Sequence, residues 1–263
     1  MSTKISSIIA IAAALAATAL NGTAAESAAP TNNPSTATST PAPAAPESRL
    51  SAESTVDFLT SYVDDNGALV SDASNARGEL TVSDASGVYL TVTRYQGLAS
   101  TSKAGNFANE TRYFAGYSGE IAKFSLDAGI GYYDYYGKTD DLKTYYVEVG
   151  RTFEKGGKWT PSILHEAYLT RSDAGYSDGH RTFFALAYEA GGDVLSIELK
   201  ASAMRETGFD SPSNWTRELA ATVGYKVSEH VTVRAGVRRL VPSHIGDGQD
   251  RRTVGSLGVK LEW

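Results

Sequence analysis

From residue 54 onward, apolar and polar side chains alternate in runs of about 8–14 residues, separated by glycine and other turn-forming residues. The last run is the clearest. Leu257, Val259, Leu261 and Trp263 fall on one side, and Ser256, Gly258, Lys260 and Glu262 on the other. A period of two sends successive side chains to opposite faces of a strand, so one face meets an apolar medium and the other a polar one. Over 193–206, Leu195, Ile197, Leu199, Ala201 and Ala203 oppose Ser196, Glu198, Lys200 and Ser202. Over 121–136, Phe124, Leu126, Ala128, Ile130 and Tyr132 oppose Lys123, Ser125, Asp127, Gly129 and Gly131. The first run, 54–64, sets Val56, Phe58, Thr60 and Tyr62 against Asp57, Leu59 and Ser61.

The pattern predicts twelve strands, near 54–64, 77–84, 87–96, 109–118, 121–136, 142–153, 158–171, 180–190, 193–206, 214–227, 230–241 and 253–263. Their connections alternate in length. Long ones lie near 65–76, 97–108, 137–141, 172–179, 207–213 and 242–249. Short ones centre on Ala85–Gly87, Ser118–Gly119, Lys155–Gly157, Gly191–Gly192 and Ser228–Glu229. An even strand number with alternating short turns and long loops is the plan of an outer-membrane barrel, with the short turns in the periplasm. A soluble sandwich does not require that alternation. Aromatics point the same way. Tyr132, Tyr133, Tyr135, Tyr136, Tyr145, Tyr146 and Trp215 cluster at long-connection ends, and Trp159 and Trp263 at short-turn ends, as two interfacial girdles would. The expected fold is all-β, a transmembrane antiparallel up-and-down barrel of about twelve strands.

Composition narrows this further. Apart from the N-terminus, no segment approaches the ~20 apolar residues of a spanning helix. A chain that crosses lipid without helices must close a barrel. Residues 1–25 read as a cleaved secretory signal: Lys4 is the only early charge, Ile5 to Leu20 is apolar, and small residues surround Ala24. Residues 26–52 are rich in Pro, Ala, Ser and Thr and read as a disordered periplasmic segment, which leaves 53–263 for the barrel. There is no cysteine, which excludes disulfides and thiolate metal sites. A net charge of −6 without a basic cluster argues against a nucleic-acid partner.

The strand phase predicts the lumen. Arg112, Asp127, Glu148, Glu166, Glu189, Glu198, Lys200, Arg234, Arg238 and Lys260 are the candidate pore-lining residues, because a Lys or Arg on the lipid face at mid-bilayer costs about 2–4 kcal/mol. Predicted strands six to nine carry Glu148, Glu166, Glu189 and Glu198, while the last two carry Arg234, Arg238 and Lys260. Arg234 and Arg238 are therefore expected to face Glu148 and Glu166 across the lumen and to set up a transverse field. The alternative is that these charges pair and close the lumen. No catalytic cluster emerges: His180, His230 and His244 fall at strand ends or in loops, and His165 and Glu166 point to opposite faces. Asp173 with Asp178 and Asp247 with Asp250 read as solvated loop carboxylates, so neither a metal nor a cofactor is expected.

Two stretches carry a resemblance. Gly258, Leu261 and Trp263 (glycine, two residues, apolar, one residue, aromatic) resemble the terminal signal of bacterial outer-membrane barrels, which implies that the last strand closes the barrel and engages the barrel assembly machinery. The stretch from Asn109 to Glu148 resembles the TorF-type porins, small proteobacterial outer-membrane proteins of about this length. It does so through Glu110, Gly116, Tyr117, Gly119, Asp127, Gly129, Tyr133, Tyr135, Tyr146 and Glu148. The match extends over roughly residues 54–150 and lacks the cysteine and tryptophan that many relatives carry near the third strand. It implies a porin-like barrel and brings no established substrate. Together these readings predict passive diffusion of small hydrophilic or zwitterionic solutes and ions in the outer membrane, with outer-membrane lipid and lipopolysaccharide as surroundings. The alternative is a non-conducting structural or surface-interaction barrel with a salt-bridged interior.

Overall fold

The computed structural model describes residues 50–65, 69–98, 109–135, 142–169, 179–208, 214–243 and 250–263. Fifteen strands occur among them: β1 (Leu50–Leu59), β2 (Tyr62–Val63), β3 (Leu69–Ser71), β4 (Asn75–Asp84), β5 (Val88–Gly97), β6 (Glu110–Ile121), β7 (Phe124–Tyr135), β8 (Leu142–Gly150), β9 (Phe153–Glu154), β10 (Lys158–Leu169), β11 (His180–Gly191), β12 (Leu195–Thr207), β13 (Asn214–Ser228), β14 (Val231–Pro242) and β15 (Arg252–Glu262). Twelve of them form one antiparallel sheet in chain order, and β1 pairs with both β4 and β15, so the sheet closes into a barrel. β2 and β3 form a separate two-stranded hairpin, and β9 only extends the edge beside β10. The longer connections leave one end of the barrel, here called the loop end, and the short ones leave the other, the turn end.

Among the described residues the outward face of the strands is apolar and exposed. Ile130 and Leu219 are each 65% exposed, and Ile163, Phe184, Leu199 and Leu257 are also exposed. Large apolar side chains in such a continuous band are stable only against lipid. The inward face follows from register. The paired rows Thr55–Glu79–Thr93–Arg112–Tyr133 and Ser162–Ala185–Ser202–Glu218 share the lumen side. No described helix is long and apolar enough to span a membrane; the strands make the crossing.

Three expectations need correction. β1 begins at Leu50, paired with Asp84, so residues 50–52 of the Pro/Ala/Ser/Thr-rich stretch belong to the strand. The turn expected at Ser118–Gly119 lies instead at Ala122–Lys123, where both residues have positive φ (51° and 70°) between the paired Ile121 and Phe124. Such a two-residue turn matches the right-handed twist of the flanking strands. The tyrosine girdle is also only half outward. Tyr132 and Tyr145 face out, while alternation turns Tyr133 and Tyr146 into the lumen. Tyr136 lies outside the described residues.

The closing seam depends on Gly258. Gly258 pairs with Asp57 on one side and Arg234 on the other, all three inward. A Cβ there would collide with the Asp57 carboxylate and the Val56 carbonyl oxygen. The empty lane lets Arg234 Nε approach Asp57 Oδ1 at 3.5 Å across the intervening strand. Nearer the turn end, Lys260 Nζ bridges Glu53 at 2.9 Å and Glu262 at 3.0 Å. Gly258→Val is expected to block β1–β15 pairing, since the obstacle is backbone and overpacking alone costs about 1–3 kcal/mol. The check is loss of the compact, heat-modifiable band on a gel, with Gly255→Ala as the tolerated control.

Candidate functional site

The hairpin is the feature that sequence reading missed. Thr60 still bonds β15, its amide donating to the Gly255 carbonyl at 3.0 Å. The chain then turns into the lumen, and Tyr62, predicted to face outward, is only 4% exposed inside the barrel. Val63 packs with Leu240 of β14 and Val254 of β15, joined by Leu59 and Leu69. This apolar anchor fixes one side of the hairpin to the wall beside the seam.

Polar contacts fix the rest to this wall and to others. Tyr62 stacks on Tyr95 of β5 (centroids 4.4 Å, interplanar angle 10°). Its hydroxyl donates to Glu110 Oε2 at 2.5 Å and accepts from Arg112 Nη2 at 2.8 Å. Arg112 also donates from Nε to Glu110 Oε1 at 2.5 Å, and its guanidinium lies between the rings of Tyr95 and Tyr133. Asp64 accepts from Arg181 Nη2 of β11 at 3.1 Å. Asp65 accepts from Arg238 Nη1 of β14 at 3.2 Å, and the same guanidinium donates to the Val63 carbonyl at 2.7 Å. One short segment therefore touches β5, β6, β11, β14 and β15, and it crosses the lumen.

Arg181 links this layer to the remaining wall. Its Nε donates to Glu206 at 2.8 Å and its Nη1 to the Tyr168 hydroxyl at 2.9 Å. The Tyr168 and Tyr133 hydroxyls both donate to the Glu166 carboxylate, at 2.7 and 2.8 Å. Glu166 is thus held by two phenols and does not stand free opposite Arg238. The expected field across an open lumen is interrupted here, because Asp65 sits against Arg238 and Asp57 against Arg234. Beside the hairpin remains a cavity of about 180 Å³, lined in part by Asp57, Arg77, Asp65, Arg234, Arg238 and Ser256. At ~30 Å³ per water it has room for about six.

Register carries all ten predicted lumen residues inward. They divide into two layers. Arg112, Glu166 and Arg238 belong to the packed loop-end layer, while Glu189, Glu198 and Lys200 are exposed nearer the turn end. Asp127 and Glu148 are cross-strand neighbours, and the Tyr89 hydroxyl donates to Asp127 at 2.6 Å while touching that of Tyr146. The facing pair Gly116 and Gly129 makes room for that cluster: a Cβ would meet the Tyr146 oxygen at 2.8 or 2.6 Å. Arg77, Arg181 and Glu206 were not among the predicted residues. Counting back by twos from Glu79, Glu189 and Glu198 places Arg77 and Arg181 inward and does the same for Glu206 when carried on. Asp64 and Asp65 left no periodic trace.

His165 and His180 stack on the outward face, centroids 5.4 Å apart, with His165 Nδ1 3.0 Å from Thr182 Oγ1. Asp173, Asp178, Asp247 and His244 lie outside the described residues. Among those described, no group of three or more metal-binding side chains occurs.

Enclosure inside the barrel by itself raises the Asp65 carboxyl, but the charges of Arg238, Arg112, Arg181 and Lys200 hold it below the ordinary carboxylate range. A folded-state pKa below the unfolded one stabilises the hairpin's position above the ordinary value of about 3.9, and that contribution is lost as pH falls through the lower folded value. The chain has no cysteine, so a spin label at Asp72→Cys, an exposed position directly after β3, is unique. Its spectrum is expected to stay constant from pH 7 to 5 and to sharpen only below about pH 4. Adding Asp65→Asn should raise the mobile fraction at pH 7 by about fivefold at most, the change that about 1 kcal/mol allows.

No protein-family model matches the chain, and no curated protein is similar to it in sequence. The porin-like architecture implied by the TorF-type resemblance is the one found, without a family match for the narrower assignment. Among solved structures the barrel is similar to the NanC porin, with TM-score 0.55 and 10% identity over 81% of this chain and 100% of that one. It is also similar to an outer-membrane channel of Pseudomonas putida F1, with TM-score 0.50 and 13% identity over 81% and 95% of the two chains. At such identities the likeness shows the fold alone, and that fold is the closed antiparallel barrel of outer-membrane porins and channels.

Proposed function

We propose that the protein is a narrow outer-membrane channel for passive diffusion of small hydrophilic or zwitterionic solutes and ions, with the β2–β3 hairpin as its constriction. The observation that carries this reading is the hairpin itself. Much of its hold on the walls is polar, through Tyr62 to Glu110 and Arg112 and through Asp64 and Asp65 to Arg181 and Arg238. A permanently sealed core is better built from apolar packing, since ion pairs removed from water repay their desolvation poorly. The Asp65 and Arg238 side chains remain 37% and 31% exposed, so this pair is worth on the order of 1 kcal/mol or less. A contact of that strength exchanges readily with water and passing ions. On this reading the exposed Glu189, Glu198 and Lys200 line the vestibule towards the turn end, Lys260 borders the seam, and transport needs no covalent step.

A second reading has its own support. Direct ion pairs reach from the hairpin to the wall at this layer, as a non-conducting barrel with a salt-bridged interior would require. Single-channel recording in a planar bilayer separates the two. Wild type is expected to open steadily with small conductance. Asp64→Asn with Asp65→Asn should raise conductance at least twofold and shift selectivity towards anions, because Arg238 then lacks its counter-charge and Arg181 keeps only Glu206. Arg238→Ala should shift selectivity the opposite way. Silence of the wild type and both variants, with folding confirmed by heat-modifiable mobility, would establish the closed barrel instead.

A further inference from the structure

The outer wall of β12 to β15 carries an arrangement that the channel does not use. Read from the turn end, the outward row of β12 is apolar from Leu195 to Ala203 and then reaches Arg205. That of β13 is apolar from Val227 to Leu219 and then reaches Arg217. That of β14 is apolar from Val231 to Val237 and then reaches Arg239. Arg251, next on the outward row beyond Thr253, precedes β15. A tilted strand needs about 9–11 residues to cross the hydrocarbon; the β12 and β13 rows are nine residues long, so Arg205 and Arg217 stand where it ends and headgroups begin, and Arg239 borders the same edge diagonally from Arg217.

Register aligns them. Arg205 pairs with Trp215, two residues from Arg217; Arg217 pairs with Val241, two from Arg239; Arg239 pairs with Thr253, two from Arg251. Each is one diagonal step from the next, about 7–8 Å. The steps from Arg205 to Arg217 and from Arg217 to Arg239 both run toward the turn end and follow the rim, while the step to Arg251 runs the other way, so three guanidiniums form an arc at the loop end with Arg251 just beyond it. All four are exposed. Inward Arg77, Arg112, Arg181, Arg234 and Arg238 each have a carboxylate within 3.5 Å. Arg205, Arg217 and Arg239 have no ion pair among the described residues. Arg205 instead lies 6.0 Å from the Trp215 ring, which is 40% exposed and stacks on Phe184.

Three like charges in a row, with Arg251 beyond them, repel one another unless an anion lies across them. Guanidinium forks match phosphate oxygens in bidentate geometry. We propose that this arc binds the headgroup of lipopolysaccharide in the outer leaflet. The phosphates on its lipid A disaccharide would lie along the arginines, and its acyl chains on the apolar wall below Trp215. The inference rests on the outer-membrane reading and assigns the surface at which lipid is recognised.

The experiment titrates the folded full-length protein in detergent with bisphosphorylated lipid A, dephosphorylated lipid A, phosphatidylglycerol and inorganic phosphate, read by native mass spectrometry. Bisphosphorylated lipid A is expected to bind at least tenfold more tightly than its dephosphorylated form or phosphatidylglycerol. Arg217→Gln with Arg239→Gln should lose at least tenfold of that affinity, while Lys143→Gln, an outward residue on β8, should keep it. Equal binding by the double variant, no preference over phosphatidylglycerol, or displacement by low-millimolar phosphate would each overturn the proposal. The comparison of lipids on wild type stands even where the double variant fails to fold. A barrel that conducts but ignores lipid A fails here alone, and a silent barrel that binds lipid A fails only the channel reading.

Discussion

A β-strand in hydrocarbon cannot leave an edge unpaired, because no water is present to satisfy its amides and carbonyls. Every other feature of this molecule depends on the seam that meets this constraint, where β15 returns to β1. The seam is more than a backbone ladder. Gly258 removes the one side chain that would stand between Arg234 and Asp57, and an ion pair forms across the last strand. Asp57 also meets Arg77 of β4 at 3.5 Å, so one carboxylate ties together strands from both ends of the chain. Asp57 is 3% exposed, where charge attraction is screened far less than at a surface.

Closure creates the interior, and the interior then has to be filled or wetted. Twelve strands enclose more space than the side-chain-filled barrels of eight and less than the open porins of sixteen or more. The chain resolves this unevenly. At the loop end the space is taken up by the hairpin, by tyrosines and by arginines shared among carboxylates. Nearer the turn end Glu189, Glu198 and Lys200 stay exposed. The packed layer is polar almost throughout, with Val63, Leu240 and Val254 as a small apolar patch beside the seam. That composition explains why the hairpin is held on one side by packing and on the others by charge.

Inner and outer walls treat arginine in opposite ways. Inside, low dielectric makes an unpaired guanidinium expensive, and Arg112 and Arg181 are each surrounded by acceptors and aromatic rings. Outside, arginine appears on β12 to β14 only after the apolar row has run its length, where the penalty for facing lipid falls to about 0–1 kcal/mol. The same residue type thus marks the interior layer and the membrane boundary, and only the strand phase tells which.

The lipid-facing half of the fold was legible because hydrocarbon imposes one rule on every outward position. The rows ending at Ala203, Leu219 and Val237 show it. Boundaries were less legible. Ser118–Gly119 has turn composition, yet pairing runs on to Ile121, because the register is set by the neighbouring strands and not by local propensity. The hairpin was illegible. The alternation of 54–64 continues through Tyr62 without a break, and a segment folded into a lumen obeys no period at all. By itself, then, the sequence determined that twelve strands close a barrel and, along those strands, the apolar rows that face lipid, since both follow from a period of two. Only the tertiary structure decided that Tyr62 to Asp65 and Leu69 to Ser71 leave the wall and that Asp64 and Asp65 meet Arg181 and Arg238. Those partners lie 117 and 173 residues away along the chain, and nothing local links them before closure brings the walls together.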